Sequence, residues 1–233
     1  MKIDRVVPIV AVTMLLFALG CGGDATTASI SKKGDSSDAS GKSGASGKVS
    51  RGKASGKKRK SSNGATIVAV ETNVGTFEIT LDAEKAPLAV DNFLYNYVQR
   101  GGYDNTIVHY STLDFFIAGG HQKEGLSEVP SRAPVRNESD NGLANLKATV
   151  AMSHAEDYPH SATSHFFINV KDNAFFDYDE SAEEDEKWGY TVFGKVTDGW
   201  DVVERIANAK THDTDEFVST PVKAIVIKSI RQY

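Results

Sequence analysis

The sequence predicts a mainly β protein, a closed β-barrel with capped ends, on three observations. Short β-type runs recur from residue 66 to the end, two amphipathic helical patterns interrupt them, and those two helices are far apart in the chain. Residues 67–72 and 76–81 are strand-like around a turn at Asn73-Val74-Gly75, and Phe77, Ile79 and Leu81 alternate with Glu78 and Thr80, which reads as an opening hairpin. Pro87 then stands where a helix can start. Val90, Phe93, Leu94, Tyr97 and Val98 follow at i, i+3, i+4, i+7 and i+8, and Gly101-Gly102 ends the pattern. Further β-type segments follow at 106–109, 115–118, 148–152, 165–170, 190–196 and 222–230. A second helix is signalled by Asp198 as cap and by Val202, Val203, Ile206 and Ala207 on one face.

The 233 residues carry a net charge of -5 that hides a split. Residues 22–65 hold ten basic and three acidic side chains, a net +7, whereas residues 66–233 hold 14 basic and 27 acidic ones, a net -13. Bulk electrostatics therefore exclude nucleic-acid binding by the folded part. Cys21 is the single cysteine, which excludes an internal disulfide framework, a CxxC redox pair and cysteine-rich zinc sites. His154, His160 and His165 lie close in sequence but fit no compact ligand motif, so neither metal nor cofactor is expected.

The chain divides into three parts. Residues 1–21 have the architecture of a signal peptide, with Lys2 and Arg5 followed by an apolar run over 6–19. That run is 14 residues long and contains Pro8, against about 20 apolar residues for a bilayer-spanning helix, so a permanent span is the weaker reading. Ala18-Leu19-Gly20-Cys21 resembles the lipobox of bacterial lipoproteins, with Ala18 in place of the usual Leu. An ordinary secretory signal ending near a cysteine is the alternative, but the only cysteine stands where lipidation would use it. The resemblance implies a diacylated Cys21 and stable attachment to a lipid bilayer, since two acyl chains anchor where one does not. Residues 22–65 are mostly Gly, Ser, Ala, Thr and Lys and build no core. As a flexible coil they span roughly 35 to 40 Å. Residues 66–233 are the folded domain.

Within that domain the residues resemble a bacterial cyclophilin, a peptidyl-prolyl cis/trans isomerase. The matching blocks run in the family's order: Ala86-Pro87 with Asn92-Phe93, then Tyr103-Asp104-Asn105-Thr106, Val108-His109 and Phe115-Phe116-Ile117-Ala118-Gly119-Gly120. Asn137-Glu138, Gly142-Leu143-Ala144-Asn145, Thr149-Val150-Ala151-Met152 and Ser161-Ala162-Thr163-Ser164-His165-Phe166-Phe167-Ile168-Asn169 come next. Asn173-Ala174-Phe175-Phe176-Asp177 and Tyr190-Thr191-Val192-Phe193-Gly194-Lys195-Val196 close the series. The resemblance implies an eight-stranded antiparallel barrel closed by two helices, with a peptide groove on its outer face.

Rotation about an Xaa-Pro bond meets a barrier of about 18 to 20 kcal/mol, because amide resonance is lost. No bond breaks, so the catalyst needs an apolar slot for the ring, exclusion of water and a donor placed where the twisted amide becomes a better acceptor. By matching position, Phe115, Phe116, Phe167 and Phe176 are the family's pocket, and Phe175 and Tyr190 stand where the family has Trp or Phe and His or Tyr. His109, Ala118, Ser153 and His165 complete the matched groove positions. The departures are as informative. Tyr110 occupies the place of the catalytic arginine, so one neutral hydroxyl replaces a charged fork of five donors. Phe116, Ala118 and His165 replace a Met and two Gln, which makes the slot more aromatic and its hydrogen bonding to a peptide poorer. The acidic run 177–186, with seven carboxylates, is a solvated loop, a selector of basic peptides or a contact for the basic linker.

Three readings follow. The first is a monomeric isomerase at the extracytoplasmic, periplasmic side of a bacterial envelope, acting on Xaa-Pro segments of unfolded or exported proteins with a rate reduced by Tyr110. The second is a proline-peptide binding module without turnover, and the third a scaffold for the acidic loop and basic tether.

Overall fold

The computed structural model describes residues 66–124, 127–183 and 186–233. Cys21 and the 22–65 linker lie outside the described residues. The opening hairpin forms as expected: β1 (Thr66–Thr72) pairs antiparallel with β2 (Gly75–Leu81), from Thr66 opposite Leu81 to Thr72 opposite Gly75. Its alternation sends Val68, Val70, Phe77, Ile79 and Leu81 into the core. The Thr72 hydroxyl closes the turn, donating to the Gly75 carbonyl at 2.7 Å and accepting from the Val74 N–H at 3.1 Å.

The first helix is not α-helical throughout, as the periodicity had predicted. It begins as α1 (Pro87–Asp91), widens to π geometry over Asn92–Tyr97 and tightens to a 3-10 turn over Val98–Arg100, where Gly101 at φ 65° ends it. The i, i+3, i+4 pattern fits either helix over so short a run, and Asn92, where the geometry changes, makes one long-range bond and one within the helix. Its side-chain amide donates to the Thr163 carbonyl at 2.7 Å and its oxygen accepts from Asn96 at 2.9 Å. Phe93, Leu94, Tyr97 and Val98 all remain buried. Phe93 packs against Tyr103, Phe193 and Phe166 with ring centroids 5.1, 5.2 and 5.7 Å apart. Burying each such side chain contributes about 1.5 to 3 kcal/mol.

The remaining strands are β3 (Thr106–Ser111), β4 (Phe116–Lys123), β5 (Thr149–Met152), β6 (Phe166–Asn169) and β7 (Val192–Asp198). The helix α2 (Trp200–Ala207), the short ribbon of β8 (Thr211–His212) with β9 (Thr220–Pro221), and β10 (Ile225–Gln232) complete the chain. Eight strands close into an antiparallel barrel in the order β1-β10-β3-β4-β6-β5-β7-β2, so no edge is left open. Helix α2 buries Val202, Val203, Ile206 and Ala207, the expected face. Its cap differs from the expectation: Asp198 ends β7, and Gly199, at φ 72°, precedes the helix. A Cβ at Gly199 would lie 2.6 Å from the Thr76 carbonyl, so the close approach of β2 requires glycine there, and Asp198 instead accepts the Gly199 N–H at 3.0 Å.

Candidate active site

Alternation along the strands divides the apolar residues between two faces. Ile117, Val150, Met152, Phe166, Ile168 and Phe193 point into the barrel. Their neighbours Phe116, Ala118, Ala151, Phe167 and Val192 form a second cluster, against which Tyr110, Phe115, Leu143, Phe176 and Tyr190 pack half-buried. Register aligns five of these positions. Tyr110 on β3 faces Ala118 on β4, which faces Phe167 on β6, then Ala151 on β5, then Val192 on β7. A row across five strands thus joins residues as far apart in sequence as 110 and 192.

Aromatic rings build the walls above that row. Phe116 lies 4.7 Å from Tyr110, 4.4 Å from Phe115 and 5.0 Å from Phe167, centroid to centroid. Phe176 lies 5.4 Å from Phe167 and 4.6 Å from Tyr190. Phe175 is 68% exposed and stacks on Phe115 at 5.5 Å and 22°, forming the rim. Burial holds the Tyr110 phenol above its ordinary pKa of 10, opposed by the nearby Thr112 hydroxyl, and does the same for Tyr190, where Glu156 adds to the effect. Both are neutral donors at physiological pH.

A chain of buried side-chain amides fixes the walls. Asn173 donates to the Phe115 carbonyl at 3.1 Å and to Asn169 at 2.7 Å. Asn169 donates to Asn145 at 3.1 Å, and Asn145 donates to the carbonyls of Phe176 at 3.0 Å and Tyr190 at 3.3 Å. Three groove segments are therefore tied through one network, in which the buried Asn173 Oδ1 is left without a partner among the described residues and the other bonds hold because each unpaired amide in a dry interior is costly. These asparagines stand in the family-like blocks, but the sequence reading gave them no role in the site. An Asn within an apolar run was the available signal.

The reading also passed over His154, whose ring stacks on Tyr190 at 4.4 Å. Its Nδ1 lies 2.8 Å from the Ala155 carbonyl and its Nε2 lies 3.2 Å from the Gly189 carbonyl. Burial lowers its pKa despite those two carbonyls. Gly189 returns the acidic loop to the groove, and the next N–H, of Tyr190, donates to the Phe176 carbonyl at 2.8 Å. A Cβ on Gly189 would collide with that same carbonyl oxygen. Gly189→Ala is expected to cost about 1 to 3 kcal/mol, the usual range for overpacking, and to displace Tyr190. The check is a urea titration alongside isomerase turnover; wild-type values for both would disprove the fit.

Other matched positions sit deeper. Ser153 is buried and its N–H donates to the His165 carbonyl at 3.0 Å. His109 is 2% exposed and lies away from the groove rings, 4.9 Å from Phe217 and 5.5 Å from His165. His121 meets His165 edge-on at 3.8 Å. Among the described residues no group of three or more His, Cys, Asp or Glu side chains is placed to hold a metal ion. What the outer cluster offers is ring contact, exclusion of water and neutral phenol donors, which suit a reaction without bond cleavage.

Comparison with known proteins agrees with that chemistry. Residues 67–232 match the model of the cyclophilin type peptidyl-prolyl cis-trans isomerase family. The chain is 44% identical over 166 residues to peptidyl-prolyl cis-trans isomerase cyp18 of Streptomyces antibioticus, covering 71% of this chain and 98% of that protein. It is 40% identical over 164 residues to peptidyl-prolyl cis-trans isomerase B of Escherichia coli, covering 70% and 98%. A crystal structure of a Cryptosporidium parvum cyclophilin type isomerase shares the fold at a TM-score of 0.56 and 23% identity, covering 72% of this chain and 98% of that one. The chain belongs to the cyclophilin-type peptidyl-prolyl cis-trans isomerases and is an enzyme of that type.

Proposed function

We propose that this isomerase works at a reduced rate on Xaa-Pro segments of exported proteins, outside the cytoplasm, tethered to a bilayer through acylated Cys21. The observation that carries the reduced rate is Tyr110, which stands at the family's arginine position, faces Ala118 across β3 and β4, lies 4.7 Å from Phe116 and offers a neutral phenol. Ring capture and water exclusion remain, so turnover persists while the strongest electrostatic contribution is lost. An exchange or protease-coupled assay on a panel of Xaa-Pro peptides tests this reading. A rate equal to that of an arginine-bearing relative would refute the reduced rate, and peptide binding without any turnover would favour the binding-module reading.

Location rests on the sequence of the first 65 residues. The basic start, the short apolar run and Cys21 support export and lipidation, and the +7 linker supports a tether reaching away from the membrane surface. Cys21→Ser is expected to release the protein from membranes or block its processing. A Cys21→Ser protein that is cleaved normally and still fractionates with membranes would count against the anchor.

A further inference from the structure

The slot that should receive the proline ring is occupied by the protein itself. Phe167 sits at the centre of the five-strand row, flanked in register by Ala118 and Ala151. Alanines on both sides give its ring no large neighbour along the row, and rings from adjacent positions surround it. Phe116, two residues before Ala118 on the same face of β4, places its ring between Phe167 at 5.0 Å, Tyr110 at 4.7 Å and Phe115 at 4.4 Å. Phe176 and Tyr190 close the opposite side at 5.4 Å each from Phe167. As a result Phe167 is 2% exposed and Phe116 7%. A ring that serves as the floor of a binding slot has to present a face to the incoming ligand, and Phe167 presents none.

We propose that Phe116 is a gate on the proline slot, a specificity-determining side chain that turns away before an Xaa-Pro ring reaches Phe167. Its motion is local. The backbone of β4 is fixed at Phe116 by pairing with Asn169 on β6, whereas three of the four rings around its side chain, those of Tyr110, Phe115 and Phe176, are themselves only half-buried. When the binding-competent state is a fraction of the population, apparent affinity falls by that fraction. The gate thus weakens every ligand that needs Phe167, while ligands that stay on the Phe115 and Phe175 rim are unaffected.

This inference rests on the groove being where Xaa-Pro isomerisation occurs, and its test separates the two claims. The probe is an Ala-Pro-containing tetrapeptide, with Kd from NMR titration and kcat and KM from an exchange assay, on wild type, Phe116→Met and Phe116→Ala. Methionine keeps an apolar side chain on a flexible stem that can vacate the slot. The expected result is a Kd and KM at least tenfold lower in both variants, with kcat changed much less. Loss of mere packing would instead raise KM. In the wild type, nuclear Overhauser contacts of the bound proline ring should reach Phe167, with a shift of the Phe116 ring resonances. Wild-type turnover with unchanged Kd in the folded variants, or proline contacts confined to Phe115 and Phe175 with Phe116 unmoved, overturns the gate alone. Absence of both binding and turnover in all three proteins overturns the gate together with the groove assignment.

Discussion

Tyr110→Arg raises kcat/KM for Xaa-Pro isomerisation at least tenfold, and Phe115→Ala abolishes turnover. The first expectation follows from the magnitude of one donor. Removing a positioned transition-state donor typically costs about 10²- to 10³-fold, or roughly 2.7 to 4 kcal/mol. The neutral Tyr110 phenol recovers part of that, because burial keeps it protonated and able to donate. A guanidinium restores a permanent charge and several donors on the same outer face of β3. The second expectation follows from packing. Phe115 contacts Phe116, Phe175 and Phe176 at 4.4, 5.5 and 5.3 Å, and its carbonyl accepts from Asn173 and from the Val170 N–H. Truncating it removes one wall of the slot while the backbone anchor remains, so the loss falls on turnover more than on folding. Because Tyr110 touches Phe116, the arginine variant also loosens the gate, and the double variant Tyr110→Arg with Phe116→Met separates the two contributions. Background turnover in both the wild type and Tyr110→Arg, with peptide still bound, would sink the catalytic argument.

Acid should destabilise the domain well above the range in which carboxylates titrate. His109 is buried and His165 half-buried, and the buried nitrogens His109 Nδ1, His109 Nε2 and His165 Nε2 have no hydrogen-bond partner among the described residues. Burial, with repulsion from His121, holds His109 at about 3, and burial with repulsion from His121 and His109 holds His165 well below its ordinary value of 6.5. The groups facing them are His121, with Glu128 at 3.7 Å from its Nε2, and the ring of Phe217 over His109. The folded state refuses a proton that the unfolded state accepts below pH 6.5. Stability is therefore fully present above that pH and is lost progressively as pH falls toward 3. Between pH 6.5 and 5 the His109 imidazole, held at about 3, stays neutral at a cost of about 2 kcal/mol, a sizeable part of the 5 to 15 kcal/mol typical of a domain, and His165 acts in the same direction. Urea titrations at pH 7 and 5 measure the loss, and His165→Gln should reduce it. An unchanged pH dependence in that variant would show that these imidazoles do not govern acid stability.

The strands and the mainly β class were legible along the chain, because strand alternation is a local property, and the order of the family-like blocks carried the barrel. Alternation of Phe77, Ile79 and Leu81 follows from the two-residue period of a strand, and the blocks around Phe115, Phe167, Phe176 and Tyr190 keep their order whatever the loops between them do. Helix capping at Gly199 was not legible, because it depends on the Thr76 carbonyl of β2, and the π geometry over Asn92–Tyr97 was not, because the same apolar spacing fits an α-helix. The same holds inside the site. A sequence can say that Phe116 replaces a methionine and that Ala118 replaces a glutamine. That both positions lie against one ring, Ala118 opposite Phe167 in register and the Phe116 ring 5.0 Å from it, follows from the pairing of β4 with β6, and register is set by pairings between strands about fifty residues apart.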